Sequence, residues 1–408
     1  MTTYYYWGGA TGANDGTSEA DAWTGITTAV AGITTGDTLY LKTPIDGSRD
    51  DFGDILVDIN LPGSYDEWTV IEGYKDTPGD GVDYPFMMAR CGIRLQSGRR
   101  LMLKYIDADN TSTTRALFQG PASLVYRCKC VVDHPSSTAI IGIDGTCVVE
   151  CYVEADSSNG GPALNANRGV VINNYIVQNA SSGEGIRLAT AFRAGFAFGN
   201  TIVCTDPSST GHGIIIEDDN MGNSSAAIMN TIYNFGDGIA FEDGSDPLVN
   251  AIFLTYGNLI YNCGTGINNL QGVWTSNSGI ACIDDAFGNI TSSNYTNINT
   301  THATPVTKQL TASPFVDTTD YQINDATGGG AIIKGLLGIP DNKGITLDEA
   351  DRISFPTHGA IFPNPNLVFE TSDEGFLSLG TGDVGDTVTV SGRSFQKVDD
   401  DPIVWRRV

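Results

Sequence analysis

The chain has 408 residues, 22 of them basic and 48 acidic, for a formal net charge of −26, and this balance excludes a nucleic-acid binder, which needs a basic surface to meet phosphate. Hydrophobic residues at 40% supply a large core and exclude wholesale disorder, while 49 glycines, well above the usual ~7%, point to a turn-rich β-protein. No apolar run approaches the ~18 residues of a spanning helix, so neither nucleic acid nor membrane is an expected partner.

In chain order, residues 1–45 read as an N-terminal strand and a capping helix. The opening lacks a basic stretch followed by a long apolar one, so no secretory signal is expected. Ser18 stands where a helix N-cap would, Ala22, Trp23, Ile26, Ala29, Val30 and Ile33 fall at helical spacing, and Gly36-Asp37 supplies a stop. Such a helix would cover the open end of a solenoid.

Residues 46–300 carry a repeat. Short strand-like blocks recur at Tyr105-Ile106, Lys129-Cys130, Tyr152-Val153, Tyr175-Ile176, Thr201-Ile202, Thr231-Ile232, Leu259-Ile260 and Asn289-Ile290. From second residue to second residue the spacings are 24, 23, 23, 26, 30, 28 and 30, a mean near 26. A second set, Gly185-Ile186, Gly213-Ile214, Gly238-Ile239 and Gly266-Ile267, follows the first within each repeat, with glycine expected to turn the chain between two strands of one coil. Asn174, Asn200, Asn230 and Asn258 precede the first block, a position from which amide side chains can bond up and down a stack. Short β-branched strands at a period of ~26 with no long helical pattern give an all-β parallel β-helix. Residues 301–366, with Gly328-Gly329-Gly330 and Pro363-Asn364-Pro365-Asn366, read as the last coils and a linker. Residues 367–408 alternate in strand fashion at Asp386–Val390 and Ile403–Trp405 and read as a small C-terminal β module. The final Trp405-Arg406-Arg407-Val408 either packs back on that module or makes an assembly contact.

Two segments bear a resemblance. Tyr4-Tyr5-Tyr6-Trp7-Gly8-Gly9 through Asn14-Asp15-Gly16-Thr17-Ser18, then Gly36-Asp37-Thr38-Leu39-Tyr40-Leu41, resembles the start of pectate-lyase-like right-handed β-helix proteins. The stretches Ala331–Gly335, His358–Ile361 and Arg393–Val398 look like a tail common in β-helix proteins of tailed bacteriophages. The resemblance implies right-handedness for the coil. It speaks for fold rather than activity, since the superfamily holds lyases, hydrolases, phage spikes and inert structural proteins.

Carboxylates are the candidate chemistry, because glycosidases on such a scaffold need a pair on neighbouring coils. Residues 214–219 and 239–244 fall in phase at a shift of 25, which stacks Glu217 near Glu242 and Asp218 near Asp243, with Asp284-Asp285 able to join them. Like charges so placed raise one pKa or recruit a cation, which makes Ca²⁺ at Asp219, Asp284 and Asp285 the one cofactor in view. A solvated acidic turn accounts for the same residues. Gly211-His212-Gly213 resembles the Gly-His-Gly of polygalacturonases, and Val132-Asp133-His134 resembles part of the pectate lyases' Trp-Ile-Asp-His. The first lacks the preceding aspartates and the following Arg-Ile-Lys, and the second lacks the Trp and the Arg-x-Pro-x-x-Arg block, so neither is carried over. No nucleophile elbow and no phosphate-binding loop occurs. The eight cysteines find too few histidines to complete a zinc set and read as buried, reduced thiols.

Charge is unevenly spread along the chain. Residues 90–129 sum to +6, leaving −32 for the rest, and Arg94, Arg99, Arg100, Lys104, Arg127 and Lys129 form a candidate interaction patch at one end of the rod, unless they pair internally with nearby Asp. The reading is of a non-enzymatic structural component of a phage virion, an exposed decoration, fibre or spike protein. Its expected partners are further copies of itself, as a homo-oligomer of trimeric form, and other virion proteins. The alternative is a polysaccharide-degrading or glycan-binding tail spike that meets a host surface glycan through Glu217, Asp218, Glu242 and Asp243.

Overall fold

The short blocks rich in Val and Ile form strands that pair in parallel with the equivalent block one coil away, in a computed structural model of the chain. The structure describes residues 2–44, 48–61, 67–80, 86–97, 100–110, 116–121, 123–133, 138–143, 146–156, 160–167, 169–189, 195–218, 224–243, 252–270, 279–283, 285–298, 308–316, 321 and 323–336, and beyond these the backbone of a few short strands. The architecture is a right-handed parallel β-helix with three walls. The first wall is an 11-stranded sheet running from Thr3–Tyr6 to Gly279–Ile283. The second holds Lys129–Val132, Tyr152–Ala155, Tyr175–Gln178, Thr201–Cys204, Thr231–Tyr233, Leu259–Tyr261 and Ala286–Gly288. The third holds Pro162–Ala166, Glu184–Ala189, His212–Asp218, Asp237–Asp243 and Thr265–Asn269.

Alternation sends one set of side chains inward from each wall. On the second wall these stack as Ile176, Ile202, Ile232, Ile260 and Phe287, and on the third as Ile186, Ile214, Ile239 and Ile267, all fully buried. Like side chains at one strand spacing fill the bore continuously, so no coil holds a core of its own.

The spacing read from the sequence matches five of the seven intervals. Cys130, Val153, Ile176, Ile202, Ile232 and Ile260 are successive register partners. The first and last intervals differ: Cys130 pairs with Ala108 rather than Ile106, and Ile260 pairs with Phe287 rather than Ile290.

The corner between first and second walls explains the second shift. Its leading residue is left-handed in coil after coil, at Arg127, Glu150, Asn173, Gly199, Met229 and Gly257, with φ of 45–67°. The next residue lies inside the bend, and there the asparagines form a ladder. Asn174 Nδ2 donates to Asn200 Oδ1 at 2.9 Å, Asn200 Nδ2 to Asn230 Oδ1 at 2.9 Å, Asn230 Nδ2 to Asn258 Oδ1 at 3.0 Å, and Asn258 Nδ2 to Asp285 Oδ1 at 2.8 Å. Each Oδ1 also accepts the backbone N–H of the preceding rung. Asp285 therefore occupies the rung that follows Asn258. Asn289 belongs to a different corner, between second and third walls, where it donates to Asn262 and Asn262 donates to Asn234 at 3.0 Å.

The paired glycines of the third wall are there for want of space. None of Gly185, Gly213, Gly238 and Gly266 has a positive φ. A Cβ on Gly213 would lie 2.3 Å from Ile232 Cγ2 and 2.6 Å from the Gly238 carbonyl oxygen, and one on Gly238 would meet Ile260 and Gly266 in the same way. The chain turns so close to the neighbouring coil there that only hydrogen fits.

At the N-terminal end the helix is shorter than its apolar spacing implies, Ile26–Gly32, and Gly25 rather than Ser18 precedes it, with no side-chain cap. Ser18 instead exchanges hydrogen bonds with Asp21, donating to Oδ2 at 2.9 Å and accepting its N–H at 3.1 Å. The expected apolar set is nonetheless buried, from Ala22 to Ile33, and the helix packs against the strand Asp50–Asn60. At the other end Lys308–Gln309 adds a last strand beside Ala286–Gly288. The chain then folds back over the outside of the second wall, where Phe315 and Tyr321 pack on Tyr233, Phe315 also meets Tyr261, and Ile333 of the helix Gly330–Leu336 is buried. Thr387–Val390, Arg393–Asp400 and Ile403–Arg407 form a three-stranded antiparallel sheet, which includes both C-terminal strands read from the sequence. No described helix is long and apolar enough to cross a membrane.

Candidate functional site

The outer face of the third wall gathers titratable side chains from three successive coils. Glu217 and Glu242 are register partners, and so are Asp218 and Asp243, as the 25-residue shift requires. One coil earlier Arg187 binds Glu184 through Nε at 2.8 Å and a terminal nitrogen at 2.5 Å, and its other terminal nitrogen reaches Glu217 Oε1 at 3.3 Å. The hydrogen bond to Glu184 raises the guanidinium pKa against the opposing effect of burial, and the charges of Glu184, Glu217 and Glu242 add to it. Glu184 is the most enclosed of the group, its side chain 7% exposed, whereas Glu217 is 25% exposed and Arg187 30%.

A second pair lies at the start of the same strands. His212 Nδ1 is 3.1 Å from Asp237 Oδ2, near enough for an ion pair when the imidazole is protonated but not aligned as a hydrogen bond. Asn268, on the following coil, donates to that same oxygen at 3.2 Å. Asn165, Arg187, Ile215, Ala240 and Asn268 form a single register row along the axis. Ile215 and Ala240 in the middle of that row are buried, although they point away from the bore. Long polar side chains lying over apolar stems produce such burial. The buried carbonyl oxygens of Asn165 and Asn268 meet no donor among the described residues.

Of the residues expected to act, Glu217 and Glu242 are brought together. Asp218 and Asp243 share their backbone register, but their side chains, like Asp219 and Asp284 as a whole, lie outside the described residues. Asp285 corrects the calcium expectation. Its side chain is fully buried inside the rod, with Oδ2 accepting from Thr255 Oγ1 at 2.6 Å and Oδ1 from Asn258, so it does not join the outer carboxylates. Among the described residues no three His, Cys, Asp or Glu side chains are grouped to hold a metal ion.

The basic patch is corrected as well. Arg94 pairs with Asp58 at 2.7 Å, Lys104 with Glu72 at 3.2 Å, Arg127 with Glu150 at 2.7 Å and Arg90 with Asp51 at 2.5 Å. Lys129 lies over the Tyr152 ring at 5.6 Å, Arg100 is likewise engaged, and Arg99 lies outside the described residues. The acidic partners sit one coil away, outside residues 90–129, which is why a charge sum along the chain gave a patch where the surface has ion pairs. These pairings lower the Asp51 and Asp58 pKa values.

Glu184, Arg187, Asp237 and Asn268 were missed as site residues, and His212 was set aside with its tripeptide. Writing the third-wall strands in rows, with Ile186, Ile214, Ile239 and Ile267 aligned, would have placed Arg187 beside Ile215 and His212 beside Asp237. The eight cysteines are buried free thiols, and burial pushes Cys91, Cys130, Cys263 and Cys282 up to about 12, which suits packing rather than reaction.

No protein-family model matches the chain, and no curated protein matches it. Solved structures do. A pectate lyase, Pel9A, superposes with a TM-score of 0.52 over 78% of this chain and 84% of its own, at 12% identity. The fold is the one these proteins share. A rhamnogalacturonan lyase superposes at 0.45 over 87% of this chain and 95% of its own, again at 12% identity. The A-module of the mannuronan C-5 epimerase AlgE4 of Azotobacter vinelandii superposes at 0.31 over 68% and 90%, at 11% identity.

Proposed function

We propose that this chain is a glycan-engaging β-helix borne on a phage-type particle, and that it meets polysaccharide along the outer face of its third wall. The supporting observation is the constellation of Arg187, Glu217 and Glu242 on three successive coils, with His212 and Asp237 beside it. Polysaccharide lyases of the same fold, such as the pectate lyase above, make a sugar polymer the natural class of ligand.

The two glutamates suit glycosidic-bond chemistry. Adjacent strands stand ~4.8 Å apart, close to the ~5–5.5 Å between the carboxyl groups of retaining glycosidases. Arg187 pairs with Glu217, whereas Glu242 accepts no hydrogen bond from a described residue, and this difference assigns the nucleophile's place to Glu217 and the acid's to Glu242. In this reading Glu242 protonates the departing glycosidic oxygen while Glu217 bonds the anomeric carbon. Water, deprotonated by Glu242, then releases the sugar and restores both groups.

Substituting Glu217→Gln and Glu242→Gln in the full chain and measuring depolymerisation of host capsular polysaccharide tests this. Each is expected to lower the rate by roughly 10²- to 10⁴-fold while the chain still binds the polymer. Variants that cut as fast as the unaltered protein would remove the catalytic roles, and an unaltered protein that neither binds nor cuts any polysaccharide would remove the glycan reading altogether.

A purely structural part in the particle stands as a second reading. It is supported by ladders of hydrogen bonds that run unbroken from coil to coil, a build suited to resisting shear. Recovery with purified virions at fixed copy number, as a trimer by sedimentation, supports it; soluble protein absent from particles removes it.

A further inference from the structure

We infer that Glu72 and Lys104 are a cross-linking pair, which condenses to a side-chain amide and staples two neighbouring coils of the rod together. The inference is independent of what the third wall binds.

Glu72 and Lys104 are register partners on adjacent parallel strands of the first wall, Thr69–Tyr74 and Leu101–Lys104. Ile71 and Leu103, the residues before them, point into the bore, so alternation turns Glu72 and Lys104 outward. Their row runs Tyr40, Glu72, Lys104, Tyr126, Val149 and Ile172, which sets the two charges in a line otherwise aromatic or apolar. Lys104 Nζ lies 3.2 Å from Glu72 Oε2 and 5.9 Å from the centre of the Tyr105 ring, with the lysine side chain 10% exposed and the glutamate 6%. In the other described lysine pair, Lys42 with Glu19, the glutamate is 39% exposed.

Enclosure and contact together favour condensation. An ion pair so enclosed gives up the hydration of both charges, and a neutral amide removes that cost altogether. The 3.2 Å contact also meets the ~3–3.5 Å of a near-attack arrangement, in which an intramolecular partner acts as though present at ~10⁵–10⁸ M. A proton passes from Nζ to Oε2, the freed nitrogen lone pair bonds Cδ, and a second proton moves from nitrogen to the same oxygen. The C–O bond then breaks and water leaves. Ammonium and carboxylate become amide and water, with nothing oxidised or reduced and no further reagent consumed.

The amide would join the third and fourth strands of the first wall, close to the end from which a solenoid unravels. The chain's eight cysteines are buried free thiols, whereas an amide brace forms and persists in a reducing compartment.

The intact mass of the full chain, purified and denatured, tests this. It is expected to fall one water, about 18 Da, below the mass of the sequence, and digestion is expected to give a branched peptide joined through Lys104 Nζ and Glu72 Cδ. Lys104→Arg, which keeps the positive charge but does not condense, is expected to restore the missing water and to unfold at a lower temperature. The full sequence mass in the unaltered protein, even after prolonged incubation, overturns the inference. So does a one-water deficit that persists in Lys104→Arg or whose peptide maps elsewhere.

Discussion

The Asn230 side chain carries four hydrogen bonds within the stack. Its Oδ1 accepts the backbone N–H and the Nδ2 of Asn200, and its own Nδ2 reaches the Ala197 carbonyl at 3.0 Å and Asn258 Oδ1. All of these groups are buried, so deletion strands donors that water cannot reach. Asn230→Ala is expected to cost roughly 3 kcal/mol, read from the urea midpoint, with both neighbouring coils losing amide-exchange protection. Asp285 ends the run of amides among the described residues, its Oδ1 accepting the backbone N–H and the Nδ2 of Asn258. At the opposite end Asp37 accepts the N–H of Thr2 at 2.8 Å and the N–H and hydroxyl of Thr34 at 2.9 and 2.8 Å. Burial opposes its ionisation, but these hydrogen bonds prevail and its pKa is lowered. A lowered folded pKa gives stability that is present above the ordinary Asp value of ~3.9 and is lost as pH falls through the folded value. Unfolding midpoints taken from pH 6 downward should show that loss, and Asp37→Asn should flatten it.

Elements in this fold are held by what lies one coil away. Gly213 faces Ile232 and the carbonyl of Gly238, both on the next coil, and its neighbours Gly185 and Gly238 stand in the same relation. Gly213→Ala therefore forces one coil away from the next and is expected to destabilise by about 1–3 kcal/mol, in contrast to the gain an alanine brings at an unstrained, open glycine. Thermal unfolding of the variant distinguishes the two. The same geometry accounts for the misread charge. Arg127 and Glu150 are 23 residues apart and 2.7 Å apart, and Lys104 meets Glu72 across the first wall with both side chains at most 10% exposed. A sum over a window of sequence separates such partners, whereas the stack joins them.

At the scale of the molecule, the rod needs closing at its ends and along its side. The helix Ile26–Gly32 closes the N-terminal end. Phe315, Tyr321 and Ile333 cover part of the second wall from outside, with Phe315 edge-on to Tyr233 and Tyr261 at 6.0 and 5.7 Å. Phe315→Ala is expected to cost about 3–5 kcal/mol if the segment stays docked. A smaller loss with new proteolytic cleavage near residue 315 would mean that the segment detaches as a unit. The third wall has no such cover among the described residues, which leaves its outer face to Arg187, Glu217, Glu242 and their neighbours.

Periodicity alone determined the fold class, the coil length and the stacking of Glu217 on Glu242, because a strand ladder repeats its residue types wherever the bore repeats its shape. The ladder asparagines were legible for the same reason. Where the repeat was broken the sequence misled: Asp285 stands in for an asparagine in the ladder, and the block read at Asn289-Ile290 belongs to another corner, with Phe287 in the strand position beside Ile260. The site was half legible. Its carboxylate pair repeats and could be seen, but Arg187, His212, Asp237 and Asn268 occur once each, and nothing in a list of residues says which wall they occupy or which way they face. That was decided by loops of unequal length, which set the register between coils and so brought one guanidinium and its carboxylates to a common face.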